Sequence, residues 1–316
     1  MQEESVKTLL RILVSVLLVF WLFRRWHRSA VRRIMHLSPL MHRVECAANL
    51  AIPMQDNAIL RADRYHPRVP GSYPTVLIRS PYGRRSRQSV FGMSLVFFAH
   101  RFAERGYNVI VQDVRGRFDS EGEFSPFLNE HDDGLETIEW IVKQPWYNGK
   151  LGMWGGSYLG LVQWAVAAET PHLSALVPSI TGSSLRDVLF PDDALDLGLA
   201  LRWVAILTLL HRYAGKPLIG SSSMLTETEA LIESSINALP IGKLDRQITG
   251  ETLPYYQEWL THEAADDNQW EEARRQTDLT KVTAPVHFIG GWYDFFLRPL
   301  LADYARLHER GLNPYL

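Results

Sequence analysis

Apolar and polar positions fall into two regimes along this chain. Residues 12–23 are apolar except for Ser15, and Arg24, Arg25, Arg28, Arg32 and Arg33 follow. Counted over residues 8–23 the run is 16 residues long and contains Arg11. A membrane-spanning helix needs about 20 apolar residues, with roughly 17 as a lower limit, so this run is short for a span. Arg11 lies near its end and can reach the interface. The pattern predicts a single-pass N-terminal anchor over residues 8–23, inside a 1–43 segment of anchor and basic linker. A surface-lying amphipathic helix or a soluble helix is the alternative. No small-x-small cleavage site follows, which argues against a signal peptide. Positive charge on the C-terminal flank turns the body toward the cytoplasm.

From residue 44 short apolar runs alternate with turn residues. Residues 57–65 (NAILRADRY) alternate and predict a half-exposed strand. Residues 75–79 (TVLIR), 107–112 (YNVIVQ) and 151–154 predict buried strands, another starts at 176–178, and 285–290 (PVHFIG) has the same character. Helical spacing runs over 95–105, closed by Gly106, and over 130–143, 157–168 and 300–310. Strands alternating with helices at this spacing predict a mostly parallel sheet covered by helices. Residues 185–280 lack buried strand runs: 194–210 is Leu-rich, 226–238 is helical in pattern, and Trp203, Tyr255, Tyr256, Trp259 and Trp270 crowd this part. The expectation is a helical cap, 185–280, inserted between two parts of one α/β core, 44–184 and 281–316.

Composition adds exclusions. With 316 residues, 46% of them hydrophobic, the chain can bury one large core or two smaller ones. A formal net charge of −2 gives no reason to expect a nucleic-acid partner. Cys46 is the only cysteine, so no internal disulfide forms, and it is expected as a small apolar filler. His262-Glu263 lacks a second histidine four residues on, so no zinc site is expected, and no phosphate-binding loop or cofactor motif is present. The patterns do not speak to oligomeric state.

The chemistry centres on Gly155-Gly156-Ser157-Tyr158-Leu159-Gly160, between an apolar strand and a helix. That is the context of a nucleophile elbow, in which a sharp strand-to-helix turn lifts the serine oxygen above the sheet edge. The helix N-terminus beside it favours developing negative charge. A chance glycine-rich turn is the structural alternative. Three further blocks are Arg79-Ser80-Pro81-Tyr82-Gly83, the run 107–117 (YNVIVQDVRGR), and 144–150 (QPWYNGK) leading into the elbow; Gly290-Gly291-Trp292-Tyr293-Asp294 closes the set. Together, from about residue 45 onward, they resemble the cocaine esterase / X-prolyl dipeptidyl aminopeptidase family of α/β-hydrolases.

The resemblance implies an α/β-hydrolase fold in which Ser157 is the nucleophile. Tyr82 gives an oxyanion-hole hydroxyl, Tyr158 a second donor through its backbone N–H, and Asp294 the acid that orients the catalytic histidine. Packing near the strand end is the alternative for Tyr82, and a loop cap for Asp294. Asp113 and Arg115 are expected to pair structurally, and Asp132 and Asp133 to be first-turn helix charges. Chain order in this fold is Ser, Asp, His, and the only histidine after Asp294 is His308, on a predicted helix rather than a loop. In the family the histidine follows a Gly-Pro-Trp block further downstream, and a C-terminal jelly-roll domain comes later. The expectation is that this sequence stops before the last core strands, as a part of a longer chain or as a truncated product, with the base not in the chain. His287 precedes Asp294 and is expected to pack in the sheet. Two functions follow. One is hydrolysis of a small-molecule acyl ester or amide, aminoacyl and dipeptidyl groups included, through an acyl-enzyme on Ser157. The other is a catalytically dead, membrane-tethered protein that lacks the histidine.

Overall fold

Residues 32–261 and 277–316 are described by a computed structural model. The anchor expected over 8–23, His262, Glu263 and Trp270 lie outside them. Among the described residues no helix is long and apolar enough to cross a membrane. The chain divides into two units, Met1–Met41 and His42–Leu316. In the first, residues 32–34 are helical.

Six strands form one sheet: β1 (Val44–Pro53), β2 (Ile59–Pro67), β3 (Tyr73–Ser80), β4 (Asn108–Asp113), β5 (Tyr147–Gly156) and β6 (Leu173–Ser179), in the order β1-β2-β4-β3-β5-β6. β1 and β2 form an antiparallel edge, and β4, β3, β5 and β6 run parallel. The apolar runs of β3 and β4 are buried along almost their whole length, as strands covered by helices require. α1 (Val90–Ala103) packs on β2 and β4, and α2 (Glu130–Val142) lies beside α3 (Tyr158–Ala167), which rests on β3, β5 and β6. α1 starts earlier than the spacing from residue 95 suggested, because Ser89 caps it by accepting from the Gly92 N–H at 2.8 Å.

β1 escaped the sequence reading. It is an edge strand, mostly exposed, with a bulge between Ala47 and Leu50 at Asn49 (φ 61°), so no clean alternation marks it. Cys46 lies on this exposed strand and fills no core position, contrary to expectation. Residues 285–290 do continue the sheet beside β6, but only as isolated bridges at Val286 and Ile289, with Tyr315 pairing beyond at His287. Leu176 and Ile180 donate to Pro285 and Ile289 carbonyls. Pro178 between them has no N–H to give the next carbonyl, which interrupts the ladder. His287 is exposed there rather than packed, with its ring edge toward Tyr315.

Between β6 and residue 261 the described chain is helical: α4 (Leu185–Leu189), α5 (Leu197–Arg212), α6 (Pro217–Ser235), α7 (Leu244–Thr249) and α8 (Pro254–Thr261). They bury a cluster of their own around Phe190, Leu201, Val204, Tyr256 and Trp259. α9 (Leu297–Glu309) follows the last bridges.

Two arginines lie fully buried in the core. Arg84 pairs with Asp113, with Asp119 at 3.0 Å and with Asp63 at 3.4 Å. Arg79 donates to Gln112 Oε1 and to the Glu130 carbonyl, both at 2.8 Å, and pairs with the Glu130 carboxylate. Asp113 and Arg115 therefore pair as expected, Arg115 holding Asp133 and Asp56. Asp132 and Asp133 lie in the first turn of α2, as expected, and Asp133 is in addition buried against Arg115. Removing one partner of such a pair leaves the other charge stranded, at a cost of about 3–5 kcal/mol.

α5 is held on the core partly by His211, whose ring stacks on Phe118 at 4.6 Å and 15°. The residue is exposed on its outer side, but desolvation of the ring face that meets Phe118, and then the Arg117 charge, push its pKa down to about 4, from an ordinary 6.5. Between those two values the unfolded chain takes up a proton that the folded one refuses. Stability present above pH 6.5 is therefore lost as the pH falls toward 4. His211→Phe keeps the stack and removes the titration. Its melting temperature, followed by circular dichroism, should fall less across that window than the parent's; equal falls would show that His211 does not carry the effect.

Candidate active site

Ser157 stands between β5 and α3 with φ 57° and ψ −125°, a left-handed backbone that a non-glycine residue adopts at a cost of about 1–3 kcal/mol. Its N–H donates to the Ser179 carbonyl at 3.0 Å, and its carbonyl accepts from Gly160 and Leu161 at 2.8 and 3.1 Å. Two glycines let the chain close this turn. A Cβ on Gly155 (φ 150°) would come within 2.4 Å of Leu159 Cβ, and one on Gly160 within 2.3 Å of Thr181 Cγ2. The spacing Gly-x-Ser-x-x-Gly thus has a steric cause at both ends.

Tyr82 follows β3 and is buried. Its hydroxyl accepts from the indole N–H of Trp203 at 3.1 Å. Burial raises its pKa, against the lowering effect of Trp203 and of the nearby Ser157 side chain. The Tyr82 main chain is tied on both sides, its N–H to Ser80 Oγ at 3.1 Å and its carbonyl to the Ser89 hydroxyl.

Tyr158 occupies the first position of α3, where a backbone N–H has no acceptor within the helix. Its side chain is buried beneath the turn, donating from the hydroxyl to Glu130 Oε1 at 2.6 Å and accepting from the Phe127 N–H at 3.3 Å. Burial pushes the pKa of both Tyr158 and Glu130 up, with Arg79 opposing the rise at Glu130.

Asp294 lies on the turn after the last bridges. Oδ1 accepts from the Phe296 N–H at 3.1 Å. Oδ2 is shielded from solvent and has no hydrogen-bond partner among the described residues. Phe295 and Phe296, directly after it, line the same pocket as Ser157, Tyr82 and Tyr158. That pocket is walled by Phe127, Trp203, Trp259, Leu185 and Leu199 among others. Among the described residues that line it none is charged and none is a histidine. His308 is exposed on α9, its ring stacked on Tyr304.

Trp203, Phe127 and Glu130 were not singled out as site residues from the sequence. Trp203 was visible only as one aromatic in a crowded segment. Its signal was an N–H-bearing ring on an otherwise aliphatic helix, but its partner is 121 residues away. Arg117 joins the same two parts: its Nε donates to the Pro81 carbonyl at 2.9 Å and Nη2 to the Leu207 carbonyl at 3.0 Å. Burial lowers its pKa to about 10.

The parallel sheet, the serine turn and the order of elements are those of an α/β-hydrolase. The chain belongs to the X-Pro dipeptidyl-peptidase (S15) family, whose pattern matches residues 56–316. It is similar to the cocaine esterase of Rhodococcus sp. (strain MB1 Bresler), with 29% identity over 273 residues, 84% of this chain and 47% of that protein. The chain thus spans about half the length of that relative. Among solved structures, an aminopeptidase from the marine sediment archaeon Thaumarchaeota archaeon has 22% identity and a TM-score of 0.59, covering 85% of this chain and 48% of that one. A CocE/NonD family hydrolase from Staphylococcus aureus has 20% identity and a TM-score of 0.55, covering 77% and 40%. These two likenesses concern the fold.

The bond between Trp203 and Tyr82 can be tested without any activity. Trp203→Phe, Tyr82→Phe and the double variant, unfolded in urea, should give a coupling energy of about 0.5–1.5 kcal/mol. Additive losses would mean that the indole N–H does not hold the phenol.

Proposed function

We propose that this protein is a serine hydrolase of neutral, apolar acyl esters and amides, working through an acyl-enzyme on Ser157. The observation that carries the reading is the Ser157 turn itself: a left-handed serine at a helix start, beside Tyr82 in a pocket with no charged side chain among its described lining. In the first step Ser157 Oγ attacks the carbonyl carbon and its proton passes to an imidazole base. The carbonyl oxygen becomes an oxyanion, to which the Tyr82 hydroxyl and the Tyr158 N–H donate. Collapse breaks the bond to the alcohol or amine, which leaves with the proton from the imidazole. Water, deprotonated by the same imidazole, then releases the acid and restores Ser157.

The imidazole needs a carboxylate to fix its tautomer, and Asp294 Oδ2, shielded and unpartnered, is suited to accept its N–H. The family resemblance expects that histidine after a Gly-Pro-Trp block. Acyl selectivity follows from the pocket's chemistry. An acyl group with a free ammonium would bury that charge among Phe127, Trp203 and Trp259 without a carboxylate to meet it. Neutral acyl groups are therefore favoured over aminoacyl and dipeptidyl ones.

The test uses the 316-residue chain and a neutral aryl ester. No histidine is among the described pocket residues, and an absent base costs about 10⁴–10⁶ in turnover, so hydrolysis by these residues without added imidazole should be slow. Added imidazole should raise the rate through Ser157. Ser157→Ala should erase that gain, and Tyr82→Phe should cut it by about 10²–10³. An imidazole-dependent rate that survives Ser157→Ala would place the nucleophile elsewhere.

We also infer a membrane anchor at residues 8–23, with the body in the cytoplasm. The support is the apolar run and the arginines behind it. The intact chain should pellet with membranes, and removal of residues 1–33 should release it. Complete release of the intact chain by carbonate washing would rule out a span.

A further inference from the structure

A second cavity opens at the other end of the sheet. Ser157 and Tyr82 stand beyond the C-terminal ends of β5 and β3. This cavity instead lies at the strands' N-terminal ends, lined by Tyr73 at the start of β3, Asn108 at the start of β4 and Trp146 just before β5. The loop of residues 67–72 between β2 and β3 forms another wall. The Asn108 side chain ties this end together, donating to the carbonyls of Tyr73 at 3.1 Å and Trp146 at 3.3 Å.

Arg64, half-buried on β2, is the distinctive group. Its guanidinium lies over the Trp146 ring at 4.6 Å. It forms no ion pair and no side-chain hydrogen bond among the described residues, and its Nε is shielded from solvent without an acceptor. Every other charge in the lining has a partner: Arg68 pairs with Glu45 at 3.1 Å, and His66 Nδ1 lies 2.9 Å from the Pro67 carbonyl. The contrast with the buried core is sharp, since Arg79 and Arg84 each meet carboxylates there. Partial burial of Arg64 without a counter-charge also lowers its pKa.

We propose that this cavity is a binding site for a small organic carboxylate, held by Arg64 stacked on Trp146. The chemistry selects a carboxylate with an apolar body. The terminal N–H groups of the guanidinium have no acceptor among the described residues, and they form a planar fork that matches the two oxygens of a carboxylate. Beside the fork the walls are Trp146, Tyr73, Val69 and Pro70, which suit an aromatic or aliphatic body. The site does not depend on the role of Ser157.

The probe is benzoate, with benzamide as its neutral counterpart and inorganic phosphate as a tetrahedral anion. The readout is ¹⁹F NMR of the full chain carrying 5-fluorotryptophan, with the Trp146 resonance assigned through Trp146→Phe. Benzoate should move that resonance saturably and benzamide should not. Arg64→Gln should abolish the shift while the other tryptophan resonances stay in place. If Arg64→Gln perturbs those too, Arg64→Lys decides: it keeps the charge, loses the fork and should weaken benzoate by about tenfold or more. A Trp146 resonance that ignores benzoate, responds equally to benzamide, responds only to phosphate or survives loss of the Arg64 fork overturns the proposal. So does benzoate that moves only Trp203 and Trp259, because it then sits in the Ser157 pocket.

Discussion

The turn at Ser157 is the constraint around which the rest of the site is arranged. A serine at φ 57° is uphill by itself, so the turn persists only because its surroundings leave the backbone no alternative. Below it, Ser179 accepts the Ser157 N–H, which locks the turn to β6. On either side, Leu159 and Thr181 press so close to Gly155 and Gly160 that no side chain fits at those positions. Behind it, every residue of α3 is buried, so the helix cannot rotate to relieve the strain. The turn is thus over-determined by β5, β6 and α3, a consequence of a parallel order that brings β6 next to β5.

Polar groups around this turn are distributed by depth. Charges lie under the site, where they are paired: Arg79 with Glu130, and Glu130 in turn with the Tyr158 hydroxyl. That chain runs from the sheet to the first residue of α3 and fixes the Tyr158 ring from below, so its N–H is held at the helix start. Neutral donors lie at the level of Ser157, where the Trp203 N–H meets the Tyr82 hydroxyl. Among the described residues no charged side chain lines the space above. The ordering has an electrostatic sense. Ionic groups in the pocket would compete for the neutral donors, whereas paired charges beneath it contribute rigidity at little cost to the site.

Much of this was legible in the sequence because it is local. The strand runs TVLIR and YNVIVQ, the glycine spacing about Ser157 and the helical spacing of 130–143 each carry their signal within a few residues. The helix over 300–310 was found for the same reason, and began only three residues earlier, at Leu297. The failures are non-local or sit at edges. β1 is too exposed and too bulged to show alternation. Cys46 was expected inside because small apolar residues usually are, but it lies on that exposed edge strand. His287 has an apolar neighbour on each side, which reads as burial, yet a strand's alternation turns it to solvent while Val286 and Phe288 go in. The pairing of Trp203 with Tyr82 depends on how helices after β6 fold back over the sheet, which no short motif encodes.

The helical segment after β6 therefore does more than cover an opening. Arg117 bonds at once to the residue before Tyr82 and to the α5 backbone, and Trp203 on α5 bonds to Tyr82 itself. The Tyr82 hydroxyl is consequently positioned from two directions, by β3 beneath and by α5 across the pocket. Both bonds come from groups that also wall or flank the cavity, so a change in acyl pocket shape that shifts α5 also shifts the donor next to Ser157. Pocket width and oxyanion geometry are then not independent variables in this fold. A substitution on α5 that enlarges the pocket while displacing Trp203 loses alignment at Ser157 along with the space it gains. Substitutions at Leu185, on α4, that leave the Trp203 bond intact are free of that coupling, which makes it a wall position where size can vary separately from chemistry.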